Sequence, residues 1–306
     1  MFNSAKTRHS LLPVLALVLL SSVAAQVSAQ QGFEIIPIND KVVMLQAPDG
    51  GGNIGAFYGP DGVLLIDDRW DRDTQALLEA VGELTDQPIR FAVNTHIHPD
   101  HIGGNNNLAE YGVVILAHES VRLKMLTELR IPRRGGMFFP QPSAQARPVI
   151  TYSKAISFHL NDEEVRVFLA PPAHTDGDSF VHFVQSDALH LGDVFRTNFY
   201  PIIDHYNGGS YLGMIEAMAL AIEIAGPNTK VIPGHGFGLS DRAGMVEVYD
   251  MMTTVRDRVA ALIAQGMSLE EVLAAAPTAD LDARWGGEAT WNQNDLLPIV
   301  YQELTQ

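Results

Sequence analysis

The chain has 306 residues, 46% of them hydrophobic and 18% charged, so it can bury a sizeable core and is not a disordered polymer. Its 20 basic and 36 acidic side chains give a formal net charge of −16, which disfavours nucleic acid or an anionic membrane as a partner. No cysteine is present, which excludes disulfides, thiolate metal sites and a cysteine nucleophile, so any metal must be held by His, Asp or Glu.

Lys6 and Arg8 precede an apolar run, Leu11–Leu20, and small residues follow, ending in Val27-Ser28-Ala29. This order predicts a secretory signal peptide over 1–29 and a mature domain over 30–306, periplasmic or secreted, with no stable membrane span after cleavage. Phe33–Ile38 and Lys41–Gln46 read as a hairpin. A glycine-rich loop, Asp49–Asn53, leads to strands Ile54–Tyr58 and Val63–Ile66, joined by Gly59-Pro60-Asp61-Gly62. Asp73–Leu84 has helical spacing, Arg90–Asn94 is a strand, and Thr95–Asn107 reads as a Gly- and His-rich loop. Strand Val113–Ala117, helix Glu119–Leu129 and a long proline-rich loop, Ile131–Pro148, come next. Two more hairpins are expected, Ile156–Leu160 with Val165–Ala170 and Phe180–Val184 with Ala188–Leu191. Helix Tyr211–Ile224, strand Lys230–Ile232, a long helix Asp241–Gln265 and terminal helices Leu269–Ala275 and Asn294–Glu303 complete the chain. The repeated plan of hairpins followed by strand–helix units predicts an α/β protein with two packed sheets and helices outside.

His96-Ile97-His98-Pro99-Asp100-His101 places three histidines and an aspartate in six residues after a strand. Imidazole and carboxylate are ligands for zinc, and a loop at a strand end can turn such side chains to common points. His174, Asp193 and His235 each lie just past a later strand. Each is weak evidence alone; with the first cluster they supply what a two-metal site needs.

On these residues the sequence resembles the metallo-β-lactamase superfamily of zinc hydrolases, whose His-x-His-x-Asp-His motif reads here as His96, His98, Asp100 and His101. The likeness runs from about Phe33 to Gly238, with a helical extension over 239–306. It implies an αββα sandwich carrying two Zn²⁺ at one edge. One zinc would be held by His96, His98 and His174, the second by Asp100, His101 and His235, and Asp193 matches a carboxylate that bridges both in glyoxalase II-like branches. Subclasses with a Cys ligand are excluded. The β-lactamase subclass with the same six terminal ligands generally lacks the bridging Asp. Such a metal pair lowers the pKa of a shared water and polarises a carbonyl, with Asp100 as the catalytic carboxylate that orients the nucleophile and passes on a proton. Hydrolysis of an amide, ester, thioester or lactone in a small molecule follows.

Arg196, three residues after Asp193, matches the position of a carboxylate-gripping Lys in some β-lactamases; an ordinary salt bridge is the alternative. Asn198, Tyr200, His205 and Tyr206 lie in the same loop and are candidates to line the cleft. The Gly50–Asn53 and Met137–Phe139 loops sit where family members carry flaps, and their apolar tips favour a partly hydrophobic substrate. His118, His159, His182 and His190 are expected to be structural. Three functions compete: a β-lactamase or lactonase, a glyoxalase II-like thioesterase, and a periplasmic metal-binding accessory protein without turnover. Oligomeric state is not legible. The Tyr249–Gln265 helix and the tail with Trp285 and Trp291 either cover the core or form an interface.

Overall fold

Alternation along Gly62–Ile66 sets the layering. Leu64 and Ile66 pack into the space between two sheets, while Val63 and Leu65 pack under helices on the outer face. A strand buried on both faces reads as one unbroken apolar run, as this one does.

The computed structural model describes Met1 and residues 32–131, 136–287 and 290–306. Apart from Met1, the expected signal segment lies outside the described residues. A seven-stranded sheet takes Glu34–Pro37, Val42–Gln46, Ile54–Gly59, Gly62–Ile66, Ile89–Asn94, Val114–His118 and Ile150–Tyr152 in that spatial order. Its first four strands are antiparallel and the rest join in parallel through helical crossovers. A six-stranded sheet takes Ala155–Leu160, Glu163–Leu169, Ser179–Phe183, Ala188–His190, Lys230–Ile232 and Ser240–Asp241. The sheets face each other through Val42, Phe57, Leu116, Val165, Val181 and Phe183, among others, with the Phe57 and Phe183 rings 5.8 Å apart. Helix Thr74–Leu84 covers the first sheet through Leu77, Ala80 and Val81. Helices Tyr211–Ile224, Arg242–Ile263 and Gln293–Thr305 cover the second. This is the αββα arrangement the sequence led us to expect.

Several local expectations need correction. The stretch expected as a loop over 95–107 holds two short helices, Pro99–Ile102 and Asn105–Glu110. Pro99 at the first helical position starts the one; the Asn94–Asn105 amide pair anchors the other. The helix expected to reach Leu129 stops at Lys124. Leu129–Ile131 instead pairs with Met137–Phe139 as a small separate hairpin inside the region expected to be loop. Ser240–Asp241 adds an edge strand to the second sheet, so the sandwich continues past Gly238. Trp285 and Trp291 are buried in the same core as the C-terminal helices, and Trp291 Nε1 donates to the Pro201 carbonyl at 2.9 Å. The tail therefore covers the core.

Candidate metal centre

The candidate ligands come from loops at strand ends along one edge of the sandwich. His96, His98, Asp100 and His101 follow Ile89–Asn94, Asp193 lies in a 3₁₀ turn after Ala188–His190, and His235 follows Lys230–Ile232. His174 sits between Glu163–Leu169 and Ser179–Phe183. The fold brings all seven together in two groups, each with donor atoms within 4.8 Å of one another. The first is His96, His98, His174 and Asp193; the second is Asp100, His101 and His235. Asp193 faces both: Oδ2 is 3.6 Å from His174 Nε2 and 3.3 Å from His235 Nε2, and Oδ1 is 3.2 Å from His101 Nε2. Asp100 Oδ2 is 3.0 Å from His235 Nε2.

Four of the five imidazoles have their proton placed by a neighbour. Thr95 Oγ1 donates to Asp67 Oδ2 at 2.8 Å, so it accepts from His96 Nδ1–H at 3.0 Å. His98 Nε2–H donates to Asp204 Oδ2 at 2.8 Å, His101 Nδ1–H to Asp67 Oδ2 at 2.7 Å, and His174 Nδ1–H to the Ile202 carbonyl at 2.7 Å. Assigned from this network, the tautomers leave His96 Nε2, His98 Nδ1, His101 Nε2 and His174 Nε2 as bare lone pairs turned inward. His96 Nε2 is buried with no hydrogen-bond partner among the described residues. His98 Nδ1 and His174 Nε2 face each other at 2.9 Å. Lone pairs converging beside buried carboxylates are a donor set for divalent cations.

The electrostatics agree. Burial pushes His96 well below the ordinary imidazole value, reinforced by His101 and His174. His101 shows the opposite balance: burial opposes its charge, but Asp193, Asp67 and Asp100 hold its pKa well above the ordinary value. Burial would raise Asp193, yet His235 and His101 keep its carboxyl well below the usual range. The three carboxylates that favour positive charge at His101 also favour a metal cation beside it.

Three further features hold the centre, and the sequence reading missed them. Asp67 is fully buried and at φ 65°, and its Oδ1 also accepts from the Thr95 amide at 2.7 Å. Asn53 Nδ2 donates to the carbonyls of Pro233 and Gly236 at 3.0 and 3.1 Å, tying the His235 turn to the glycine loop. Arg69 grips Asp49 through Nη1 and Nη2, both at 2.9 Å, bonds the Gly51 carbonyl, and donates from Nε to Asp73 Oδ2 at 2.7 Å. This places Gly51 and Gly52 against His235 and the Asp100 carbonyl, where a side chain at Gly52 would collide. Asp67 and Arg69 follow a strand directly, as the ligands do, and that position was the available signal. Asp204 had none, since a loop aspartate 106 residues from its histidine leaves no spacing pattern.

The expected substrate residues separate. Tyr200 is buried, and its hydroxyl donates to Asp282 Oδ1 at 2.8 Å, so it serves the C-terminal helices rather than the cleft. His205 Nε2 lies 3.3 Å from Glu303 Oε1 on the last helix. Asn198 is exposed at φ 61°. Arg196 is buried; Nη1 donates to the Tyr200 carbonyl at 3.4 Å, and its guanidinium lies 5.2 Å from the Phe199 ring centre. His118 caps a helix by accepting from the Ser120 amide at 3.3 Å, and buried His190 reaches the Asn53 carbonyl at 3.2 Å; both are structural, as expected.

Fold and centre together define a class, and comparison with known proteins agrees. The family model of the metallo-beta-lactamase superfamily matches residues 47–237, and the chain belongs to that superfamily, a metal-dependent hydrolase by class. Among solved structures, a metallo-beta-lactamase from Pontibacter korlensis is 17% identical, covers 72% of this chain and 99% of its own, and superposes with a TM-score of 0.59. The stereoselective inverting sec-alkylsulfatase Pisa1 from Pseudomonas sp. is 18% identical and covers 89% of this chain, with a TM-score of 0.63; this chain spans 50% of the alkylsulfatase's length. The DIM-1 metallo-beta-lactamase is 16% identical, covers 73% of this chain and 98% of its own, with a TM-score of 0.58. At such identities the likeness is one of fold.

Proposed function

We propose that the chain is an exported dinuclear zinc hydrolase that cleaves amide or ester bonds in small molecules, with β-lactams and lactones as the first candidates. The observation that carries this reading is the double donor set, in which Asp193 faces both groups and four histidine tautomers point lone pairs inward. His96, His98 and His174 would hold one cation, Asp100, His101 and His235 the other, and Asp193 would touch both. The His and Asp donors also suit iron or manganese; zinc is proposed because imidazole-rich sites of this type take it readily. Bound there, such a pair acidifies water and polarises the scissile carbonyl.

The protein's own groups do the rest. Asp67, Thr95 and Asp204 keep the imidazoles in the tautomer that binds. Asp100 has a side chain 21% exposed, whereas Asp193 is almost fully buried. Asp100 Oδ1, opposite the Oδ2 that faces His235, takes a proton from the attacking water. It returns that proton to the leaving nitrogen or oxygen as the carbonyl carbon's bond to that atom breaks. Arg69 holds the glycine loop whose Gly51 and Gly52 lie against His235 and the Asp100 carbonyl of the second group.

Export rests on the basic, apolar and small-residue order over 1–29. Among the described residues no helix is long and apolar enough to cross a membrane. Asp193 facing both groups also favours a second reading, a glyoxalase II-like thioesterase. The two separate on a panel: purified, zinc-loaded protein is assayed with a chromogenic cephalosporin, a lactone, a thioester and, because the alkylsulfatase spans more of this chain than the β-lactamases do, a secondary alkyl sulfate. Chelator-sensitive turnover of the cephalosporin or lactone is expected at kcat/KM of about 10⁴ M⁻¹s⁻¹ or more. A thioester rate far above both favours the second reading, and no turnover of any substrate returns the protein to a metal-binding accessory role.

A further inference from the structure

Leu296, Leu297 and Val300 bury one face of the last helix, Gln293–Thr305, in the core. Glu303 follows Leu296 and Val300 at helical spacing on that face, with its side chain 10% exposed. Its carboxylate meets the start of helix Tyr211–Ile224. The Tyr211 amide donates to Oε1 at 2.7 Å, the Leu212 amide to Oε2 at 3.0 Å, and Ser210 Oγ to Oε2 at 2.9 Å. First-turn amides have no partner within their own helix, and negative charge is favoured beside them, so this carboxylate fixes where the helix begins. The residues leading into that helix hold two of the ligands. Ser210 N–H donates to the Ala173 carbonyl and Gly209 N–H to the Asp204 carbonyl, both at 2.8 Å, and Asp204 N–H to the His174 carbonyl at 2.9 Å. A Cβ on Gly209 would collide with the His174 carbonyl, so the segment lies directly on the His174 backbone. From the same segment the Ile202 carbonyl accepts from His174 Nδ1, and Asp204 Oδ2 accepts from His98 Nε2. His205 Nε2, 3.3 Å from Glu303 Oε1, is a second tie to the last helix.

We infer that Glu303 is a positioning residue through which docking of the last helix and cation binding at the first group strengthen each other. The inference rests on the reading that His96, His98, His174 and Asp193 hold a cation, and it adds a regulation of that site. Whatever lifts the C-terminal helix frees the 202–210 segment, and with it the partners that orient His98 and His174. The second group is held from elsewhere: Asp67 orients His101, and Asn53 ties the His235 turn to the glycine loop. Loss of the Glu303 contacts therefore loosens the first group and leaves the second in place. Coupled sites change each other's affinity by about 5- to 150-fold, and by the same factor in both directions.

The test uses the full chain and zinc alone, with affinities read by competition with a chromophoric chelator. Glu303→Gln removes the charge and puts an N–H₂ group where an acceptor stood, so one of the two first-turn amides loses its bond. In a His235→Ala background, which leaves the first group intact, Glu303→Gln is expected to raise the zinc Kd about tenfold. In a His174→Ala background, which leaves the second group intact, the Kd stays within about twofold, whereas a general loosening of the fold weakens both. The reverse coupling is read in the wild type, without any substitution. Saturating zinc should slow hydrogen exchange over 293–305 about tenfold more than in helix Thr74–Leu84 on the other sheet, and Glu303→Gln should abolish that excess. Equal losses in the two backgrounds, a first-group Kd within about threefold of its parent, or no excess protection of the last helix overturns the coupling and leaves the metal centre standing. A wild type that takes up no zinc overturns the metal reading and this inference with it.

Discussion

Asp67→Asn is expected to weaken metal binding about 10- to 100-fold at each of the two groups, the usual effect of losing an outer-shell partner. The reason is proton polarity. Asp67 Oδ1 accepts from the Thr95 backbone amide, and Oδ2 accepts from both Thr95 Oγ1 and His101 Nδ1. In the asparagine the oxygen must stay on the backbone N–H, which cannot reverse. The amide nitrogen then faces His101 and Thr95 and donates where an acceptor stood. His101 responds by carrying its proton on Nε2, the atom turned to the centre. Thr95 Oγ1 rotates to accept and donates onward to His96 Nδ1, 3.0 Å away, so His96 also carries its proton on the inward nitrogen. A single isosteric change thus blocks one imidazole in each group. The near-isosteric variant should therefore lose at least as much metal affinity as Asp67→Ala, which leaves both rings free to choose their tautomer. Competition with a chromophoric chelator reads the affinities, and thermal unfolding with and without zinc checks that the fold survives. A Kd for Asp67→Asn within threefold of wild type contradicts the tautomer argument.

Asp193→Ala should have the second large effect. The carboxylate is almost fully buried and stands 3.2 to 3.6 Å from three imidazoles of both groups. Without it the inward nitrogens lose the negative charge that holds cations close together. Losing about 4 kcal/mol of transition-state stabilisation is within the several kcal/mol a metal site supplies, and it lowers kcat by about 10³. Zinc content should fall from two toward one per chain. Turnover within tenfold of wild type with two zinc ions retained contradicts the bridging role.

How much of this was legible in the sequence follows from what leaves a local pattern. The helix Tyr211–Ile224 and the strand Lys230–Ile232 match their expected bounds because periodicity and flanking turns are written in adjacent residues. All seven candidate ligands were legible because a metal centre demands His and Asp just past strand ends. The short helices over 99–110 were not, since their termini are held by the side chains of Asn94 and Asn105 and by Asp68, whose Oδ1 accepts from the Gly104 amide at 2.9 Å. The same limit hid Asp204 and Asn53, which act through partners distant in sequence. Tyr200 was misplaced for a related reason. Loop position near Asp193 suggested the cleft, but a buried hydroxyl needs an acceptor, and Asp282 supplies it 82 residues away. What the folded chain adds is therefore the support: which carboxylate sets which tautomer.

The most direct measurement is the zinc content of the full, purified chain after loading and desalting, taken by elemental analysis on wild type and on Asp193→Ala. Two zinc ions per wild-type chain and fewer in the variant are expected. A wild-type value of one or below contradicts the dinuclear centre on which the proposed chemistry rests.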